Sequence, residues 1–394
     1  MKAQHALGLN LSWTRVTTVF LIDMGILVLA GRWPGDPKAA MYVWWTGVGV
    51  AALVAIIALV TYRRMPISTM WAAWLGDQFV DPEAALTKGR TPAVDHHRKF
   101  GRESVGMREH QGHLVTVISV GGRAAGATGR HRRGGEPMSL PVERLAAGLR
   151  QFDVRLDSVD IVSVGTRSNP REAAGTDAAD ADIDENPTLP DHRDTWVVLR
   201  MDPQHNVNAV AARDSLASTL AAATERLAEE IDGRQLSARV VRADEFDAVD
   251  EAVLAGAEAA QLRHRLFRPR PEGHVTAFWM SPNDINEENI EHLWYPETSA
   301  TVVTVRLAPG GGRTNGVSVL VRYHSAEKLS RGVRAALNRF VGRRQLDAVC
   351  ASLPAPTAHR RMVVPGRDLQ EGEHLPVSVD VVAEYASPAS GARS

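Results

Sequence analysis

One cysteine, Cys350, stands in 394 residues, which excludes an intramolecular disulfide. Such usage fits a reducing compartment, and with no family signature around it the thiol reads as structural rather than nucleophilic. No charge of one sign dominates. The 45 Lys and Arg against 46 Asp and Glu leave a net −1, so no basic face points to a nucleic-acid partner. The short catalytic motifs are missing as well. No Gly-x-x-x-x-Gly-Lys-Ser/Thr phosphate loop is present, and Gly310-Gly311-Gly312 lacks the lysine and precedes a strand pattern. Neither His-Glu-x-x-His nor a Gly-x-Ser-x-Gly elbow occurs. Asp180-Ala181-Asp182-Ile183-Asp184 opens like a calcium loop, but the sixth and twelfth positions are Glu185 and Asp191, without the Gly and Glu such a loop needs. His110 and His113 fall at a turn, and His96 and His97 point opposite ways if extended. Nothing here argues for a catalytic residue, a cofactor or a metal.

What the chain does have is two apolar spans back to back. The first runs over residues 13–30 and the second over 39–62, separated by a polar turn at 31–38. In hydrocarbon every backbone polar group must be satisfied within the segment, so both read as membrane helices. Roughly 18 and 24 residues give about 27 and 36 Å, against a core of about 30 Å. A cleaved signal peptide is the alternative for the first span, and Asp23 and the immediate second span speak against it. Lys2, Arg15, Arg63 and Arg64 flank one side, and Arg32 and Lys38 the other, which favours both termini in the cytoplasm. Trp13, Trp33, Trp44, Trp45 and Tyr62 stand where interfacial aromatics belong, and Arg15 is placed to snorkel. Asp23 is costly in lipid, so it meets either a polar group of another subunit or an internal partner such as Thr17, Thr18 or the backbone. Gly47, Ala51 and Ala55, four residues apart, allow close approach of the first span or of a partner helix.

The remaining chain of about 330 residues has room for one large domain or two. Residues 66–80 carry Met70, Trp71 and Trp74 on one helical face and begin a juxtamembrane segment, 66–103. A mixed α/β, or α+β, region is expected over 104–353. Its strands are read at 104–120 (two, around Gln111-Gly112), 159–164, 195–201, 236–241, 274–280, 300–307 and 317–323. Residues 121–137 read as a loop. Helices are read at 141–151, 206–231, 244–254 with Asp244 as N-cap, 286–294 behind Ser281-Pro282, and 330–340. Val207, Val210, Leu216, Leu220, Leu227 and Ile231 mark the buried side of the second of these, with Gly233 as its stop. The acidic stretch 169–194 lacks apolar bulk and is expected to be disordered. Residues 354–394 form a C-terminal tail, loose over 386–394.

Several long segments resemble one family. They are LGLNLSWTRVTTVFLID (7–23), TPAVDHHRKFGRESVGMRE (91–109), LRQFDVRLDSVDIVSV (149–164) and TWVVLRMDPQHNVNAVAARDSLASTLAAATERL (195–227), continuing through SPNDI (281–285) to VRYHS (321–325). Together they resemble EccE, a membrane component of mycobacterial type VII (ESX) secretion machines, and in particular its copy in the fifth such system. The acidic stretch and the chain past Ser325 match poorly. The resemblance implies two membrane helices and a cytoplasmic domain at the periphery of a plasma-membrane complex with EccB, EccC and EccD, with no catalytic residue to carry over. A non-catalytic structural subunit supporting assembly of the export machine is therefore the expected function. The alternatives are an anchored enzyme with a degenerate glycosyltransferase-like domain and a membrane-tethered sensor.

Overall fold

The structure is a computed structural model. It describes residues 7–9, 13–33, 36–62, 65–66, 86, 91–98, 104–110, 112–122, 138–167, 189–190, 192–210, 215–233, 235–257, 273–310, 314–340, 344–354, 362, 364–370, 373 and 375–380. Two compact units are present, the first made mainly by residues 1–80 and the second by 81–263, 267–340 and 345–394.

In the first unit, strand β1 (Leu7–Leu9) precedes helices α1 (Trp13–Gly31) and α2 (Pro37–Leu59), and strands β2 (Val60–Tyr62) and β3 (Met65–Pro66) follow. The second apolar span therefore stops being a helix three residues before its expected end. Val60-Thr61-Tyr62 is β-branched and aromatic, and it pairs antiparallel with β1, Leu7 opposite Tyr62 and Leu9 opposite Val60. Pro66 adds to this, because the residue before a proline is pushed out of the α region. Among the described residues one helix is long and apolar enough to cross a membrane, over Lys38–Leu59 with mean hydropathy 2.0. The apolar part of α1, Val16–Gly31, is shorter than that length. Of the two spans expected, one thus meets this test among the described residues, while α1 as a whole runs 19 residues, Trp13–Gly31.

The second unit is built on an antiparallel sheet. Its elements are β4 (Val94–His97), β5 (Ser104–His110), β6 (His113–Gly122), β7 (Met138–Pro141), α3 (Val142–Ala147), β8 (Arg150–Gln151), β9 (Val154–Arg155), β10 (Ser158–Thr166) and β11 (His192–Met201). There follow α4 (Val207–Val210), α5 (Leu216–Ile231), β12 (Leu236–Val240), α6 (Phe246–Leu254), β13 (His274–Trp279), α7 (Glu287–Glu291), β14 (Ala300–Pro309) and β15 (Asn315–Ser325). Last come α8 (Arg331–Ala336), β16 (Asn338–Arg339), α9 (Arg344–Ser352), β17 (Arg367–Asp368) and β18 (Pro376–Val379). The main path of the sheet is β16-β13-β15-β14-β10-β11-β6-β5-β4, with β12 beside β6 and β17 beside β15. Among the described residues every pairing is antiparallel, so of the two expected classes the α+β form holds.

Both faces of this sheet are covered, which explains why its strands read as nearly continuous apolar runs instead of alternating ones. Val159, Ile161, Val197, Leu199, Val303 and Val305 point to one face and pack with Leu145 of α3 and Leu220 and Leu227 of α5. Val162, Val164, Trp196, Val198 and Val302 point to the other and pack with Phe246, Val249 and Val253 of α6. Pairing of Asp160 with Arg306, and of Ser158 with Arg200, sets the register across the middle strands. The β5–β6 hairpin turns through Gly112 at φ +78°, a left-handed position that favours glycine.

Several expectations are corrected. The long helix over 206–231 is not continuous. A 3-10 turn covers Pro203–Asn206, α4 is one turn, and a new helix begins at Leu216. Ser215, extended at φ −164°, caps it by accepting from the Ser218 N–H at 3.0 Å. Val207, expected on the buried side, is exposed. Asp244 is not an N-cap; it lies in a 3-10 turn, Ala243–Glu245, in which Glu245 accepts from the Arg242 N–H. The helix read at 330–340 ends at Ala336, where Leu337 turns extended and Asn338 joins β13 opposite Trp279. The acidic stretch ends sooner than expected, since His192, Arg193 and Asp194 already belong to β11. Residues 169–188 and 191 of it lie outside the described residues, as do 67–80, 123–137 and 381–394. The C-terminal tail contributes to the fold: β17 pairs with β15, β18 pairs with β7, and Leu375, Val377 and Val379 join the main core.

Candidate functional site: the helical pair and the buried charges

The first unit places most of the membrane-type residues read from the sequence. Helices α1 and α2 pack along the small-residue stripe. Gly47 and Ala51 are buried and Ala55 is half-buried. At Gly47 the contact is close, since a Cβ built there would lie 2.6 Å from the Ala30 Cβ. At Gly47, then, the stripe lies against α1. Gly47→Leu wedges the two helices apart, and overpacking of this kind costs about 1–3 kcal/mol. The thermal midpoint of the detergent-solubilised chain is expected to drop. Gly49→Leu is the control: a Cβ at Gly49 meets nothing within 4 Å, so that variant melts like the parent.

Many outward-facing side chains of the pair are large and apolar. Phe20, Leu21, Leu29, Tyr42, Leu53 and Ile56 are exposed, as are Trp13 and Trp33 at or beside the ends of α1 and Trp44 and Trp45 about two turns into α2. Surface of this kind marks contact with lipid or another protein. Asp23 is half-buried, and its Oδ1 is enclosed without a hydrogen-bond partner. The internal bond to Thr17 is not made, because Thr17 Oγ1 donates to the Trp13 carbonyl at 2.9 Å. Arg63 and Arg64 lie outside the described residues, as do the side chains of Arg15 and Tyr62.

The second unit holds a set of buried charges that spacing did not single out. On the sheet face covered by α6 and α9, Asp160 of β10 is fully buried. Arg306 of β14 donates to it through Nε at 2.9 Å and Nη2 at 3.1 Å, and Arg200 of β11 through Nε at 3.2 Å. Two buried guanidiniums on one carboxylate leave positive charge, and backbone carbonyls at the end of α9 and at Met362 receive it. Arg306 donates to Ala351 at 3.0 Å and to Met362 at 2.9 Å. Arg200 donates to Leu353 at 2.9 Å and also to Pro354. A helix C-terminus carries unsatisfied carbonyls and the negative end of the dipole, so this is where cations stabilise it.

Arg322 of β15 extends the row. It donates to Ser352 Oγ at 3.1 Å, to His324 Nε2 at 2.9 Å and to the Val253 carbonyl of α6. Burial pulls the Arg322 guanidinium down to about 9, which still leaves it charged near neutrality. Burial, and then the Arg322 charge, push His324 down to about 3, so its ring is a neutral acceptor. At the far end Arg108 of β5 donates to the buried Asp250 at 2.6 Å and to Asp247 at 2.8 Å, and sits over the Phe246 ring. These groups tie helices to sheet by charge-assisted bonds. Cys350, in α9, is buried.

The chemistry available is binding and bracing. Among the described residues no group of three His, Cys, Asp or Glu is placed to hold a metal ion. A small groove is lined by Leu145, Leu227, Ile231 and Leu236, with Arg144 and Glu230 beside them, and it carries neither a nucleophile nor a carboxylate pair.

Comparison with known proteins gives this architecture a family. A family model described as a putative type VII ESX secretion system translocon, EccE, matches residues 189–280, from the start of β11 to the end of β13. The ESX-5 secretion system protein EccE5 of Mycobacterium marinum is 45% identical over 406 aligned residues, covering 99% of each chain. EccE5 of Mycobacterium tuberculosis H37Rv is 46% identical, covering 98% of each. The ESX-1 secretion system protein EccE1 of Mycolicibacterium smegmatis is 24% identical over 69% of this chain and 57% of that protein. The EccE5 matches run past Ser325, where the resemblance read from the sequence stopped. The class so defined is a component of a type VII (ESX) secretion system. The chain belongs to the EccE family, as its ESX-5 copy.

Proposed function

We propose that this chain is a non-catalytic structural subunit of a type VII secretion complex in the plasma membrane, where it supports assembly and stability of the export machine. Helices α1 and α2 anchor it as a hairpin. Both termini and the sheet domain lie on the cytoplasmic side, and EccB, EccC and EccD are its partners. The observation that carries this reading is the helix pair, which exposes large apolar side chains on both helices, Phe20, Leu21 and Leu29 on α1 and Leu53 and Ile56 on α2, in a chain matched over 99% of its length by an ESX-5 secretion protein. An exposed apolar belt needs lipid or neighbouring helices around it. The sheet domain supports the same reading, because its charged side chains brace the fold instead of converging on an open cleft.

Deletion of the gene tests the proposal. Export of small secreted substrates is expected to stop, and the membrane complex to shrink or fall apart on a native gel. Unchanged export with an intact complex contradicts it. The enzyme alternative is tested by replacing Asp180, Asp182 and Asp184 together with Ala. A structural subunit exports normally with this change, whereas an enzyme using that run as a metal site loses function.

A further inference from the structure

Asp23 lacks what a carboxylate in an apolar helix requires. Its Oδ1 is enclosed and unpaired. The hydroxyls of Thr17 and Thr46 are both turned to their own helices, onto the carbonyls of Trp13 and Tyr42. Asp23 shares a three- and four-residue stripe with buried Val19 and with Ala30, and Ala30 faces Gly47. The carboxylate is therefore recessed toward the seam between α1 and α2, flanked on α1 by exposed Phe20 and Met24. The basic positions that flank Asp23 in sequence are distant along the helix axis. Arg15 and Arg32 lie about 12 and 13 Å away along the axis, at 1.5 Å per residue.

We infer that this seam is a receptor for a Lys or Arg side chain borne by a transmembrane helix of a different subunit, with Asp23 as its counter-ion. The inference rests on the membrane reading of α1 and α2 given above. Three arguments fix the partner's chemistry. A charged carboxylate in hydrocarbon is costly alone, and a cation neutralises it. A second copy of this chain brings only another Asp23 to the same depth, and like charges repel. A Lys or Arg also carries a long apolar stem, which lies against exposed Phe20 and Met24 while its charged head meets the carboxylate.

The test uses the tagged full-length chain in its own membrane, extracted in mild detergent, with partner subunits quantified by mass spectrometry. Asp23→Leu and Asp23→Asn are each expected to lower recovery of the partner about five- to tenfold, and Asp23→Glu to keep most of it. A photo-crosslinker at Ile26 is expected to capture a transmembrane peptide containing Lys or Arg. Alanine at that basic residue should reproduce the loss and add nothing to Asp23→Leu. Full recovery with Asp23→Leu overturns the inference and leaves the subunit reading standing. Full recovery with Asp23→Asn alone overturns the cation in favour of a neutral donor, and cross-linking to a second copy overturns the heterologous partner. If the parent chain itself recovers no partner, the subunit reading fails.

Discussion

Asp160→Asn is expected to destabilise the sheet domain by about 3–5 kcal/mol, the cost of leaving buried guanidiniums without their counter-charge. Arg200 and Arg306 both donate to this carboxylate, and both side chains are almost fully buried. The neutral amide still accepts one bond, but the charge that balanced two cations is gone. Urea unfolding of the purified chain in detergent, followed by far-UV circular dichroism, reads the effect as a lower midpoint at unchanged slope. Pairing the change with Arg306→Met removes one of the orphaned cations, so the double variant is expected to recover part of the loss. A shift below about 1 kcal/mol for Asp160→Asn contradicts the account of this cluster.

The second large effect is acid sensitivity through His324. Its folded value, about 3, lies far below the ordinary histidine value of 6.5, because burial and the Arg322 charge oppose protonation. The unfolded chain binds a proton there below about pH 6.5, and the folded chain does not. Stability is therefore full above 6.5 and falls as pH drops toward 3, by about 1.4 kcal/mol per unit. Between pH 6.5 and 5 this one group removes about 2 kcal/mol. His324→Gln retains an acceptor for Arg322 and takes no proton. Its midpoint is expected to change less over the same interval, and identical pH profiles for parent and variant would falsify the assignment.

Glu373 acts in the same direction at lower pH. Its hydrogen bond with Arg367 holds the carboxyl below its usual range. The stability it adds is complete above the ordinary carboxyl value and is lost as pH falls through the lowered one.

Much of the fold was legible because its signals are local. Val159–Val164 and Thr195–Met201 read as strands from β-branched runs, and both are strands. The β5–β6 hairpin was visible in its glycine. What could not be read depends on distant partners. Asn338 and Arg339 look helical in isolation, but pairing opposite Trp279 and Phe278 of β13 draws them into a strand. Val377 and Leu140 are far apart in sequence, and neither run advertises the other, although they stand opposite in one ladder. At Ser215 a local signal was present and was overridden by helical periodicity; its cap wins because it satisfies an otherwise orphaned N–H.

The buried charges had a signal of their own. Asp160, Arg200, Arg306 and Arg322 each interrupt an otherwise apolar strand, in VDIV, VLRM, TVRL and LVRY. Once both faces of a sheet are covered, a charge inside such a run has to find a partner. Which carboxylate meets which guanidinium follows from strand order, and order is a tertiary fact. For the helix pair the residue types were legible and the pairing was only half so. The small stripe could not say whether it faced α1 or a partner, and in the structure Gly47 lies against Ala30 of α1.

The most direct test of the membrane-subunit account is cysteine accessibility in spheroplasts. Single cysteines are placed at Asp36, in the turn between α1 and α2, and at Asp244, on the exposed surface of the sheet domain, in a Cys350→Ala background. A membrane-impermeant maleimide is expected to label Asp36→Cys in intact spheroplasts and Asp244→Cys only after the membrane is opened. Labelling of Asp244→Cys from outside, or recovery of the chain in the aqueous fraction, contradicts a hairpin anchor with an inward-facing domain.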